Sequence, residues 1–319
     1  MGCRSSKLAE NSVYQNHCTV LKRLSLISLA IAAVWSAAQP AHGQALVPHV
    51  LQLDGEVLEQ QGLVLAQEAA QLAQFQQYQL ALSRAQLASQ LVPDNPQVWA
   101  LLGSLYLQTE QASPAIQALL KARSLDQENA AVLFALGSAY FREENYNSAI
   151  QYLKAGLRVK PETPGALFDL GNAYYKLNQF DEAIEQYAKA VKIDEKFWPA
   201  VNNIGLIQYE QGQVDAAVEQ WQEALAIDAN QTEPKLALAI ALYGQGQQAE
   251  ALEMGVAALR ADSRYASLEF LQDNLWGERL LEEAKQFLAL PKIQETLAQL
   301  SRDSLTQQAP TQSPPAPTP

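Results

Sequence analysis

Cysteine, histidine and basic residues are scarce in this chain of 319 residues, and each scarcity removes a class of function. The only cysteines are Cys3 and Cys18, so thiol redox chemistry, disulfide staples and cysteine-built metal sites have no material beyond the first few residues. Three histidines occur, His17, His42 and His49. Histidine-ligated metals and catalytic triads with a histidine base therefore lack parts, and neither a metal nor a cofactor is expected. Lys and Arg number 22 against 34 Asp and Glu, a formal charge of −12. A phosphate backbone demands the opposite sign, so nucleic acid is not an expected partner. The same charge also serves to keep a long surface soluble. Long apolar runs are missing too. The stretch from Leu24 to Ala38 has 15 residues, short of the roughly 20 that span a bilayer.

That stretch has the marks of a secretory signal. Lys22 and Arg23 precede it, and Pro40, Ala41, His42 and Gly43 follow, which gives a basic start, a short apolar core and small residues near a cut. Residues 1–43 are read as a signal peptide cleaved after Gly43, and the chain as exported to a periplasm or a thylakoid lumen. Membrane association is expected only if the signal stays uncleaved as an anchor. Both cysteines leave with it, as do Arg4, Lys7, Lys22, Arg23 and Glu10, so that 18 basic residues then face 33 acidic ones.

What the chain does have is a period. Gly103, Gly137, Gly171 and Gly205 stand 34 residues apart, and Ala115, Ala149, Ala183 and Ala217 follow them at a constant offset of 12. Ala69 with Ala81 and Ala239 with Ala251 extend the register to six units. Glycine inside a helix costs about 1 kcal/mol relative to alanine, so a repeated one implies a repeated close approach of two backbones. Large apolar residues recur around these anchors at helical spacing: Trp99, Leu133, Leu167 and Val201, then Leu102, Leu136, Leu170 and Ile204, then Tyr106, Tyr140 and Tyr174, and in the second half Leu119, Leu153, Tyr187 and Trp221. Polar turns such as Glu143-Glu144-Asn145 and Asn178-Gln179 separate the halves. Pro93 and Pro161 end two of the second helices. Each unit reads helix, turn, helix.

With Gly171, Tyr174, Ala183, Tyr187 and Ala190 in place within residues 164–197, the chain resembles the tetratricopeptide repeat (TPR) family. The resemblance implies an all-α, right-handed superhelical solenoid of about six helix-turn-helix repeats over residues 62–265. Residues 44–61 are expected to form a linker or short helix, residues 266–301 helices capping the open end of the stack, and residues 302–319, rich in Pro, Thr, Gln and Ser, a disordered tail. Three departures fall late in the array: Gln208 in a tyrosine place, Lys235 in an apolar place, and Gly255 where the second helix carries a large residue. The glutamine-rich leading repeat and Trp276-Gly277 look similar to exported bacterial TPR proteins, cyanobacterial ones among them, that serve assembly of photosynthetic or outer-envelope complexes.

In that family the groove residues come from the second, fifth, ninth, twelfth and thirteenth places of each unit. The fifth place holds Phe134, Phe168, Asn202 and Leu236. The ninth holds Ser138, Asn172, Leu206 and Ile240; the twelfth, Leu107, Phe141, Tyr175, Tyr209 and Tyr243. The thirteenth adds Arg142 and Lys176 before the sign reverses at Glu210. Rings with few rotors and asparagines able to bond a main chain suit an extended protein segment. A packing role for the same rings, between repeats, remains the alternative. The carboxylate clamp of chaperone-binding TPR domains is missing, since Phe134 and Phe168 hold the fifth place and Gly165 and Pro199 the second.

No separate catalytic domain is visible, and the carboxylate pairs Glu182 with Glu185 and Glu282 with Glu283 are expected on solvated helix faces. Gly244-Gln245-Gly246-Gln247-Gln248-Ala249 imitates a dinucleotide fingerprint but falls between two helices and is read as a turn. The expected function is a non-enzymatic scaffold that grips extended segments of partner proteins during assembly of envelope or membrane complexes. The alternatives are a docking subunit of a periplasmic enzyme system, a photosynthetic assembly factor, and self-association through grooves or open ends.

Overall fold

The computed structural model describes residues 54–308, the side chains through 303. The signal of residues 1–43, most of the expected linker and residues 309–319 lie outside the described residues. Within them the chain is helical, without a strand. Twelve helices form six antiparallel pairs: α1 (Gly55–Gln74) with α2 (Tyr78–Leu91), α3 (Pro96–Gln108) with α4 (Ala112–Leu125), α5 (Ala130–Arg142) with α6 (Tyr146–Val159), α7 (Pro164–Lys176) with α8 (Phe180–Ile193), α9 (Trp198–Glu210) with α10 (Val214–Ile227), and α11 (Thr232–Gly244) with α12 (Gln248–Ala261). A turn of 3₁₀ helix (Ser263–Ala266) leads to α13 (Leu268–Asp273), α14 (Glu278–Leu288) and α15 (Pro291–Gln308). Residues 55–61 are helical, continuous with the rest of α1.

Local chemistry starts and stops these helices. The Asn95 side chain accepts from the amides of Gln97 and Val98, with Pro96 at the first helical position; Asn129 and Asn145 cap α5 and α6 in the same way. The turn within each repeat is built alike. Gln76, Glu110, Glu144, Asn178, Gly212 and Gly246 all have φ between 56° and 87° and recur every 34 residues. Gly246 therefore marks the turn read at Gly244–Ala249.

The repeated glycines do what their spacing predicts. A Cβ on Gly103 or Gly137 would stand 2.5 Å from Leu119 or Leu153, one on Gly205 would stand 2.7 Å from Trp221, and one on Gly171 would collide with Tyr187. Each first helix thus offers a notch for the large residue sixteen positions on. Leu119, Leu153, Tyr187 and Trp221 are all fully buried there.

The first helices also touch one another in sequence, α1 with α3, α3 with α5 and α5 with α7. The second helices do so much less. A stack whose first helices crowd together carries them on its inner face, where a groove forms.

The C-terminal helices do more than cover the open end. α15 packs on α12, the last helix of the array, as a cap should, but α14 turns back along the inner face and lies against α9 and α11. The late departure at Gly255 explains the path: the Phe287 ring fills its notch, so close that a Cβ there would stand 2.6 Å away. The sixth repeat lacks a large residue on its second helix because α14 supplies it. α15 runs on to Gln308, so residues 302–308 are helical and not part of a disordered tail; Pro291 opens the helix and no further proline interrupts it before Pro310.

Candidate functional site

The inner face divides at the end of α7. Along repeats 5 and 6 it is occupied. Glu210, the last residue of α9, accepts from the backbone amides of Arg279 (3.0 Å) and Leu280 (2.9 Å) and so caps the N-terminus of α14. Gly277 lies so tightly on Glu210 that any side chain there would collide with it. The Tyr209 hydroxyl donates to Glu283, and the Arg279 guanidinium stands 5.1 Å from the Tyr209 ring centroid. The Trp276 indole donates to Glu233 Oε1 at 3.1 Å, and Phe287 meets Tyr243 edge-on at 5.5 Å. Leu271, Trp276, Leu280, Phe287, Leu288 and Ile293 are all buried. At about 1.5–3 kcal/mol for each large apolar side chain, this burial is worth on the order of 10 kcal/mol. Leu280, Phe287 and Leu288 place α14 in one core cluster with Leu206, Tyr209, Trp221 and Leu236 of the last two repeats.

Of the ten residues that the family register assigned to a groove, three lie in the occupied repeats, Tyr209 and Tyr243 against α14 itself. Asn202 is 1% exposed and Tyr209 2%, and Tyr243 is half-buried against Phe287. Tyr209 is covered by α14 through Glu283 and Arg279, whereas Asn202 is buried between Asn203 and Glu233. Two fifth-place rings also turn toward the core: Phe134 fills a notch at Gly156 of α6, and Phe168 sits between Tyr187 and Phe197, 5.6 Å from each. For these the packing role holds. Glu283 departs from expectation as well, since it is half-buried against Tyr209 while Glu182, Glu185 and Glu282 are exposed.

The remaining five come together on the open part. Phe141 of α5 leans edge-on against Tyr146 (5.3 Å), and Tyr175 of α7 is tilted against Phe180 (5.5 Å), each twelfth-place ring resting on the first aromatic of its repeat's second helix. Burial pushes the Tyr175 hydroxyl above the usual range, with Glu210 adding to it. Arg142 Nη1 donates to the Leu107 carbonyl at 2.6 Å, tying the end of α5 to the end of α3. Asn172 Oδ1 accepts from the Tyr187 hydroxyl (2.7 Å) and from Asn203 Nδ2 (3.1 Å). Its Nδ2 bonds no protein group among the described residues.

Two hollows result. One, about 210 Å³, is lined by Ser138, Phe141, Arg142, Asp169 and Asn172. The other, about 460 Å³, lies where Tyr175 and Lys176 meet the α13–α14 segment at Leu275, Trp276 and Leu281. Asp169 escaped the sequence reading, although it is the only acidic residue within α3, α5 and α7. Among the described residues no group of three or more His, Cys, Asp and Glu side chains has the arrangement to hold a metal, and no helix is long and apolar enough to cross a membrane.

Residues 51–196 match the family model described as the TPR domain of cytochrome c-type biogenesis protein H, and residues 168–234 match a tetratricopeptide repeat model. The chain is a tetratricopeptide repeat protein. Solved TPR structures share the fold. The APC/C hetero-tetramer Cut9–Hcn1 aligns with a TM-score of 0.57 at 16% identity, over 72% of this chain and 45% of that one. Pseudomonas aeruginosa PilF aligns at 0.56 and 17%, over 68% and 98%, and MamA from Desulfovibrio magneticus RS-1 at 0.51 and 17%, over 54% and 97%. Identities this low speak for the TPR fold alone. No curated protein sequence matches the chain.

Proposed function

We propose that this TPR protein is a non-enzymatic scaffold that holds an extended segment of a partner protein on the inner face of repeats 3 and 4. The observation that carries the reading is the division of that face: repeats 5 and 6 are filled by the chain's own α14, while Phe141, Asn172, Tyr175 and Lys176 border hollows. The segment's side chains would bury against Phe141 and Tyr175, and its main chain would take the Asn172 amide. The surface is preformed, held by the Asn172–Tyr187–Asn203 hydrogen bonds, so little ordering cost falls on binding. The signal-like leader supports a site of action in a periplasm or thylakoid lumen, and assembly of envelope or membrane complexes as the task. A second reading, favoured by the family match over residues 51–196, is a docking role in cytochrome c-type biogenesis.

The test is crosslinking in the native host followed by mass spectrometry, comparing the protein with a Phe141→Ala, Tyr175→Ala variant. Capture of a partner is expected to fall about tenfold or more, with the helical circular dichroism unchanged. Undiminished capture by the variant contradicts the groove.

A further inference from the structure

Asp169 is a carboxylate without an ion-pair partner among the described residues. It stands in the middle of α7, and its Oδ2 accepts from Ser138 Oγ of α5 at 3.2 Å. Arg142 lines the same hollow, but its guanidinium is turned to the Leu107 carbonyl. Burial holds the Asp169 carboxyl up to about 6, Ser138 pulling the other way. The neighbouring Tyr187 phenol on α8 is kept protonated by its own burial, so it brings no charge.

A buried carboxylate is costly unless something compensates it. Asp169 is half-buried, its compensation among the described residues is the single Ser138 hydrogen bond, and it lines a hollow of about 210 Å³ that the Phe141 ring also borders. We propose that this hollow is the specificity pocket of the groove and takes a lysine or arginine side chain of the bound segment, its cation pairing with Asp169. The inference rests on the groove reading above and names the chemistry of its occupant. The apolar stem of a lysine or arginine would lie along the Phe141 ring, and the segment's carbonyl would take Asn172 Nδ2. An acidic side chain would meet a like charge, and a neutral one would leave the carboxylate as it is.

A phage-displayed library of random peptides selected on the purified protein, on Asp169→Asn and on Phe141→Ala tests both readings separately. The expected result is binders that Phe141→Ala loses, that carry lysine or arginine at one fixed place, and that bind Asp169→Asn at least about tenfold more weakly. Asp169→Asn removes a half-buried charge without an ion-pair partner and keeps the shape, so its thermal midpoint should equal or exceed that of the unaltered protein. Binders lost by Phe141→Ala that show no basic residue at a fixed place, or that bind Asp169→Asn equally well, overturn the Asp169 pocket and leave the groove standing. Selection of no binder that depends on Phe141 overturns both.

Discussion

Repeats 3 and 4 and repeats 5 and 6 are built on one register yet end in opposite states. In the first pair the twelfth-place rings, Phe141 and Tyr175, lean on aromatics of their own repeats and border open hollows. In the second pair the equivalent rings, Tyr209 and Tyr243, meet Glu283, Arg279 and Phe287 of α14. The difference comes from a few side chains. Glu210 reverses the sign of the thirteenth place held by Arg142 and Lys176, and in doing so offers a cap to the N-terminus of α14. Gly255 empties the place held by Leu119, Leu153, Tyr187 and Trp221, and Phe287 fills it. A repeat register states which side chains can face a groove; whether they face solvent depends on what the chain outside the repeats lays over them.

Three substitutions break or sharpen this contrast. The largest effect is expected from Phe287→Ala, which empties the Gly255 notch at a site 2% exposed. The loss should be about 3–5 kcal/mol in urea unfolding, with the inner face of repeats 5 and 6 opened toward the state of repeats 3 and 4. Next comes Glu233→Gln. Burial raises the Glu233 carboxyl to about 7, with hydrogen bonds from Trp276 and Asn202 holding it back. A folded-state value above the unfolded one means that the native state binds the extra proton, so stability is greatest at low pH and is lost as pH rises from about 4.5 through about 7. Glu233→Gln should therefore raise the thermal midpoint at pH 8, by a gain on the order of 2–3 kcal/mol, and the gain should vanish below pH 4.5. The smallest effect concerns the turns. Repeats 5 and 6 carry glycine at the positive-φ position, whereas repeat 3 carries Glu144 at φ 56°. Glu144→Gly should relieve strain and stabilise by up to about 1 kcal/mol in thermal unfolding, the added freedom of the unfolded chain offsetting part of it.

Much of the fold was legible because the repeat writes each contact several times. The period of 34, the glycine notches and the polar turns recur, and each copy supports the others. The groove was less legible. Phe134 and Phe168 occupy groove places by register, but Gly156 on α6 and Phe197 beyond α8 draw them inward, and a register carries no information about such partners. Gly255 read as a defect because the residue that completes it, Phe287, lies 32 positions later and outside the repeat. The path of α14 had only indirect signals, the Gly255 vacancy and the sign change at Glu210. Asp169 was visible as the lone acidic residue within the first helices of repeats 2 to 4, but its lack of a partner is a fact of three dimensions.

The central claim is that one protein presents an open groove at repeats 3 and 4 and a self-filled one at repeats 5 and 6. A photo-crosslinking amino acid placed in turn at positions 141, 175, 209 and 243, activated in the native host, tests it most directly. Positions 141 and 175 should capture a partner protein, while 209 and 243 should give only crosslinks within the chain, to residues 276–288. Partner capture at 209 and 243 with none at 141 and 175 would contradict the account.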